Sequence, residues 1–377
     1  MDFLIKNGTL YEPEVHQLVS KDIAFVDGKI AVPRAEHFYH QVIDAKGCIV
    51  TPGLIDFHVH YWGVECGVSP DASSFCNGIT TAVDAGSTGC STFPVFYRTD
   101  IVNSRVRILS DLLVASGGQT TWKYNENIDP ELYDENEIAK LFERYPGLLV
   151  GLKARLSKYV IRESDAEDAV LRMVMLAEKV KTRLILHVTD CAMPLDKLSS
   201  MLRRGDVICH IYQNLGSRDR TCLDANGRVL EGLWAARERG IIFDASHGKG
   251  NYDLEVCRSA VEQGFVPDII SSDNNANGSF IHPLHSLPRI LSKYLDFGMK
   301  LEDILDCATI TPARLIGHPQ LGTLKEGTPA DAAIFQLKEK KIRHTDINGN
   351  VMEGRHVLVP QMTFKDGRCM YCQTDFT

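Results

Sequence analysis

The sequence predicts an α/β protein: a (β/α)8 TIM barrel with a small β-sandwich domain built from both termini. Three observations lead there. Apolar strand-like runs alternate with helical stretches through the middle of the chain, the pattern of parallel strands joined by crossover helices. Both ends instead read as short strands separated by tight turns. Polar, metal-competent side chains close several of the middle strands, where barrel enzymes carry their chemistry. A chain of 377 residues suits one large domain and a smaller one. Residues 1–52 and 321–377 are expected to form the sandwich, and 53–320 the barrel.

Taken in order, Asp2–Lys6 ends at Asn7-Gly8, Asp22–Val26 ends at Asp27-Gly28, and Gln41–Asp44 precedes Lys46-Gly47. Asn-Gly and Asp-Gly after apolar alternation signal hairpins. The same texture returns at 322–335 and at Asp366-Gly367. Barrel strands are expected near 54–60, 79–86, 106–115, 148–155, 183–188, 206–211, 240–246 and 268–273. Helical patterns are clearest at 164–181, 232–239, 254–263 and 301–308. The rival is a doubly wound open sheet, which would place a glycine-rich phosphate turn after its first strand. Here that strand ends in His58-Val59-His60.

Composition narrows the function classes. The net charge is −8, so there is no basic footprint for nucleic acid. No apolar run approaches the ~20 residues of a membrane span, and the start lacks a signal-peptide layout. A small-molecule substrate and a cytoplasmic location are expected, with no nucleic-acid or membrane partner. The 11 cysteines, Cys66 among them, are scattered, which favours free thiols in a reducing compartment. The CxxC pair Cys369 and Cys372 reads as coincidence within a terminal strand.

Strand alternation puts Asp56, His58 and His60 on one face, with Phe57 and Val59 on the other. Two imidazoles at a strand end make a pair of metal ligands if others join them. Lys153 lies on the fourth strand, His187 closes the fifth, His210 the sixth and Asp273 the eighth. Singly, each has a plain structural reading: a hydrogen-bonded histidine, a capping aspartate, a lysine reaching solvent. Six such groups at equivalent ends of one barrel favour a site. Lys153 needs its own chemistry, because an ammonium repels a metal. Burial favours the neutral amine, which can add CO2 to give a carbamate with two anionic oxygens.

The run Pro52–His60, followed by Lys153, His187, His210 and Asp273, resembles the binuclear-metal branch of the amidohydrolase superfamily. The segment Gly322–Asp331 is similar to that superfamily's return into its β-sandwich. Asp84–Gly89, Gly151–Arg155 and Phe243–Gly248 resemble the dihydroorotase-like or deacetylase-like subgroup. The resemblance implies two divalent metal ions, with zinc suited to the ligand set. It places His58 and His60 on the more buried ion, His187 and His210 on the exposed one, and a CO2-derived carbamate on Lys153 between them. Asp273 would stand beside a bridging hydroxide as general base and then acid.

The implied activity is hydrolysis of an amide or ester bond in a small acylated substrate. Trp62 stands where a dihydroorotase carries the arginine that holds its substrate, while hydantoinase-like ring opening stays open. A deaminase, or a non-catalytic scaffold, is a remoter alternative. Arg155, two residues past Lys153, is a candidate for a substrate carboxylate. His247, after the seventh strand, is a candidate donor to a substrate oxygen. Tyr97, Tyr212 and Asn277 read as packing or solvent-facing residues, and His282 and His285 as non-ligands. A symmetric homo-oligomer is expected, as is common for such barrels.

Overall fold

The computed structural model describes residues 1–63, 67–121 and 123–376. Seven of the short terminal strands come first: β1 (Phe3–Lys6), β2 (Thr9–Glu12), β3 (Gln17–Ser20), β4 (Ile23–Val26), β5 (Lys29–Ala31), β6 (Gln41–Asp44) and β7 (Ile49–Pro52). The middle supplies β8 (Leu54–Val59), β9 (Ile79–Gly89), β10 (Arg107–Leu113), β11 (Leu149–Arg155), β12 (Arg183–His187), β13 (Val207–Cys209) and β14 (Ile242–Asp244). The C-terminal part adds β15 (Ala332–Thr345), β16 (Val351–Lys365) and β17 (Arg368–Cys372).

Strands β8 to β14 form one parallel sheet in chain order, and helices run between them as the alternation predicted. The helix Ala166–Lys179 buries Ala169, Val170, Met173, Leu176 and Ala177, the three-and-four spacing of a face packed on a sheet. The helix Leu254–Glu262 starts where the Asp253 carboxylate accepts the N–H groups of Glu255 and Val256, both at 3.0 Å, a side-chain cap.

The eighth expected strand, 268–273, is not a regular ladder strand. It still closes the ring, through parallel bridges Asp244 to Ile269 and Val59 to Asn274. The ladder breaks because Ser272 N–H donates to the Asp56 side chain at 2.9 Å instead of a main-chain carbonyl. Asp273 then turns to φ 50°. Strand β8 is irregular too: its pairing with β9 shifts between Asp56 and Val59. Phe57 and Val59 consequently enter different apolar clusters, and the Asp56 carboxylate is occupied by Ser272.

The termini build two sheets. One runs β5-β4-β1-β6 and the other β17-β16-β15-β7-β2-β3. Phe3, Phe25, Val50, Ile334 and Phe364, drawn from both, share one buried cluster. The turn signals divide. Asp27-Gly28 and Asp366-Gly367 are two-residue hairpin tips with both residues at positive φ, as Asp-Gly favours. Asn7-Gly8 is not a hairpin: β1 and β2 belong to different sheets, and so do β6 and β7 around Lys46-Gly47. Asn7 is pinned in its crossing by Asp22 and Asp44, each at 2.9 Å. A side chain on Gly8 would come within 2.9 Å of Val50.

The ten described cysteines are all free; Cys66 lies outside the described residues. No described helix is long and apolar enough to cross a membrane.

Candidate active site at the barrel mouth

The ends of β8, β11, β12, β13 and the closing segment bring the expected ligands together. The His58 and His60 rings lie 5.5 Å apart, His58 and His210 4.9 Å, and His187 and His210 4.4 Å, centroid to centroid. Asp273 Oδ1 stands 3.3 Å from His60 Nε2 and 3.7 Å from His58 Nε2. His58, His60, Lys153, His187 and Asp273 line one cavity of about 410 Å³, together with Arg155, Tyr159, Asn251 and Ile347. Backbone strain helps to aim them. His210, Ser246 and Asp273, at three successive strand ends, take φ of 63°, 36° and 50°, a left-handed conformation that non-glycine residues hold only under constraint.

Second partners orient the rings. Ser87 Oγ donates to Asp84 at 2.9 Å and stands 2.8 Å from His60 Nδ1. It therefore accepts from that nitrogen, and the ring turns its Nε2 toward Asp273. His210 Nδ1 is held by the Ser246 carbonyl at 2.6 Å, which leaves Nε2 as its lone-pair atom. Burial pushes His58 and His187 well below the ordinary histidine range, and His210 down to about 4. Neutral imidazole is the ligand form. For Asp273, burial pulls upward, but the imidazoles of His60 and His210 and the Asn251 amide outweigh it and hold the carboxyl below its usual range.

This donor set fits a metal ion. His187 Nε2 is buried with no partner among the described residues. His58, His60 and Asp273 offer ligand atoms all within 4.8 Å of one another.

Lys153 is 1 % exposed, and its Nζ donates to Cys209 Sγ at 3.7 Å. The buried carboxyls Asp111 and Asp244 are driven up by desolvation to about 7 and about 6. Gly86 makes room beside the lysine: at φ 77°, any Cβ there would lie 2.7 Å from Lys153 Cβ.

The two candidates for substrate contact are placed differently. Arg155 lines the cavity, but its Nε and Nη2 are clamped by the Glu126 carboxylate. Its Nη1 reaches the Tyr159 hydroxyl at 3.3 Å, so one edge of the guanidinium faces the cavity. His247 has both nitrogens engaged, Nδ1 by the Gly248 carbonyl at 2.7 Å and Nε2 by Lys293 Nζ at 2.5 Å. It is not among the described residues lining the 410 Å³ cavity. Tyr97 packs on Tyr145, and the Tyr212 hydroxyl donates to the Phe265 carbonyl at 2.8 Å. Asn277 does line the cavity, whereas His285 lines a smaller neighbouring one with His247 and Lys293.

Sequence reasoning missed Ser87 as the support of His60, Glu126 as the clamp on Arg155, and Asn251, whose Nδ2 donates to Asp273 at 2.8 Å. Only Ser87 had a signal, lying in a segment already singled out. Glu126 and Asn251 sit in loops whose spacing carries no periodic pattern.

Neutral imidazoles, a carboxylate and a buried lysine at the strand ends of a parallel barrel define a metal-dependent hydrolase site. The chain belongs to the amidohydrolase family, which it matches over residues 49–370. It is 31 % identical over 332 residues to a deacetylase of Agrobacterium fabrum, a match spanning 85 % of this chain and 78 % of that one. A crystal structure of an adenine deaminase superposes with TM-score 0.89 at 25 % identity, covering 99 % of this chain and 100 % of the other. One of a dihydroorotase superposes with TM-score 0.87 at 27 % identity, covering 99 % and 98 %.

Proposed function

We propose that the protein hydrolyses an amide or ester bond in a small acylated acid, in the manner of a deacetylase. The observation that carries this reading is the convergence of three imidazoles, Lys153 and Asp273 on one cavity that Arg155 also lines, with the His210 ring packed against His58 and His187. His58, His60, His187, His210, Asp273 and a carboxylated Lys153 are the residues that would hold two divalent ions, zinc among the metals suited to them. Such ions, when bound, supply hydroxide at neutral pH and polarise the scissile carbonyl.

The chain's own residues do the rest. Asp273, held ionised, takes a proton during attack and returns it to the leaving amine or alkoxide. Asn251 keeps that carboxylate in register. The Nη1 side of Arg155, which also holds the Tyr159 hydroxyl, meets the substrate carboxylate, its charge maintained by Glu126. Ile281, Ile347 and Tyr159 give the cavity an apolar side for the remainder of the acid. We also take 1–52 with 321–377 as one small sandwich domain beside the 53–320 barrel.

A screen of metal-loaded protein tests this reading: N-acetyl amino acids of both hands, O-acetyl hydroxy acids, cyclic ureides and adenine. Acetate release from an acylated acid is expected. Ring opening alone would replace the reading with a hydantoinase-like one, and ammonia from adenine with a deaminase.

A further inference from the structure

Among the buried groups that the hydrolytic site leaves unused, Lys293 is the least expected. It lies on the helix Leu287–Asp296 and is 4 % exposed. Its Nζ hydrogen-bonds an imidazole, His247 Nε2 at 2.5 Å, and stands 4.3 Å from the centre of the Tyr252 ring. Burying an amine costs stability that a leucine or methionine there would not. Desolvation lowers its pKa to about 7, and in either protonation state it has an N–H to give to His247.

The contacts lead onward to the catalytic carboxylate. With Nε2 accepting from Lys293, His247 carries its proton on Nδ1 and donates it to the Gly248 carbonyl at 2.7 Å. The ring is sandwiched flat on Tyr252, centroids 3.9 Å apart. The N–H groups of His247 and Gly248 bond the carbonyls of Ser271 and Ser272, both at 3.0 Å. Gly248, at φ 54°, packs so tightly that a Cβ would lie 2.3 Å from Asp273 Oδ2. The loop that Lys293 braces is therefore the wall behind the Asp273 carboxylate, and it also carries Asn251.

We propose that Lys293 is a positioning residue for Asp273, acting through His247 and Gly248. The proposal rests on Asp273 carrying the proton in the reaction above. Metal-loaded, full-length Lys293→Met, Lys293→Gln, His247→Asn and the Lys293→Met/His247→Asn double variant are assayed on 4-nitrophenyl acetate, with metal content measured on each. Lys293→Met should lose at least about tenfold in kcat, at unchanged KM and metal content. Lys293→Gln, which keeps an N–H donor, should recover most of that loss. The double variant should be no slower than either single one, because both break the same chain. A kcat near wild type, a loss that only follows lost metal, or independent multiplying losses would overturn the proposal. Should Lys293→Met not fold, His247→Asn must show the same kcat loss. If wild-type protein hydrolyses neither this ester nor the screened acids, the hydrolase reading fails. Crystal structures then decide the positioning claim: it holds if Gly248 and the Asp273 carboxylate shift in the Lys293 variants, and falls if they do not.

Discussion

Asp273 does two things that one substitution can separate. It offers an oxygen beside His58 and His60, and its carboxyl, held below the usual range, is the proton carrier of the proposed reaction. Asp273→Asn keeps the shape and an oxygen but loses the base. We expect metal content close to wild type and a turnover loss of about 10²–10⁴, read by metal analysis beside steady-state kinetics. Lys153→Ala is predicted to lose metal and activity together. A Lys153→Ala protein with full metal content would remove the carbamate from the mechanism. Arg155→Met tests the guanidinium: KM for an acylated acid should rise at least about tenfold, while an uncharged acetamide should be unaffected. Glu126 would be left without its partner in that variant, so Glu126→Gln is the companion change.

At the scale of elements, the long hairpin β15–β16 is clipped to the helix Leu287–Asp296 by one carboxylate. Asp296 accepts from Arg355 N–H at 3.0 Å, His344 Nε2 at 2.8 Å and His356 Nδ1 at 2.7 Å. Burial opposes its ionisation, yet those donors win and hold its pKa below the ordinary value. A carboxyl depressed in the folded state protects the fold above its unfolded pKa, and that protection is lost as pH falls toward the folded value. Acid unfolding should thus steepen below about pH 4, and Asp296→Asn should remove that component. The same change should cost about 1–3 kcal/mol at neutral pH, the price of an unsatisfied buried donor, measurable by urea denaturation. Gly354 belongs to this clip as well, because a Cβ there would sit 2.1 Å from Asp296 Oδ2.

For the molecule as a whole, the site gathers residues from five stations around a closed ring, so a bound ion would tie those stations together. Chelation should lower Tm, and zinc with bicarbonate should restore it; ligand at a thousandfold its Kd is worth about 4 kcal/mol. Equal Tm values with and without metal would argue against a shared centre.

Much of this was legible in the chain. Alternating strands and helices, the His58-Val59-His60 ending and the polar closures at Lys153, His187, His210 and Asp273 follow from local periodicity, which the sequence carries directly. The amidohydrolase assignment rests on the same residues. What periodicity could not carry was any partnership across the chain. Whether Asn7-Gly8 makes a hairpin or a crossing depends on which sheet each flanking strand joins. Whether Asp56 faces a metal or a serine depends on a bulge set by its neighbour strand. His247 looked like a substrate contact by its place after a strand, and only packing revealed that Lys293 already occupies it. The chain by itself determined the kind of barrel and the inventory of candidate ligands, because each is written in short-range spacing. The tertiary structure alone decided which groups support, clamp or occupy one another, because those contacts join residues distant in sequence, and no local pattern records them.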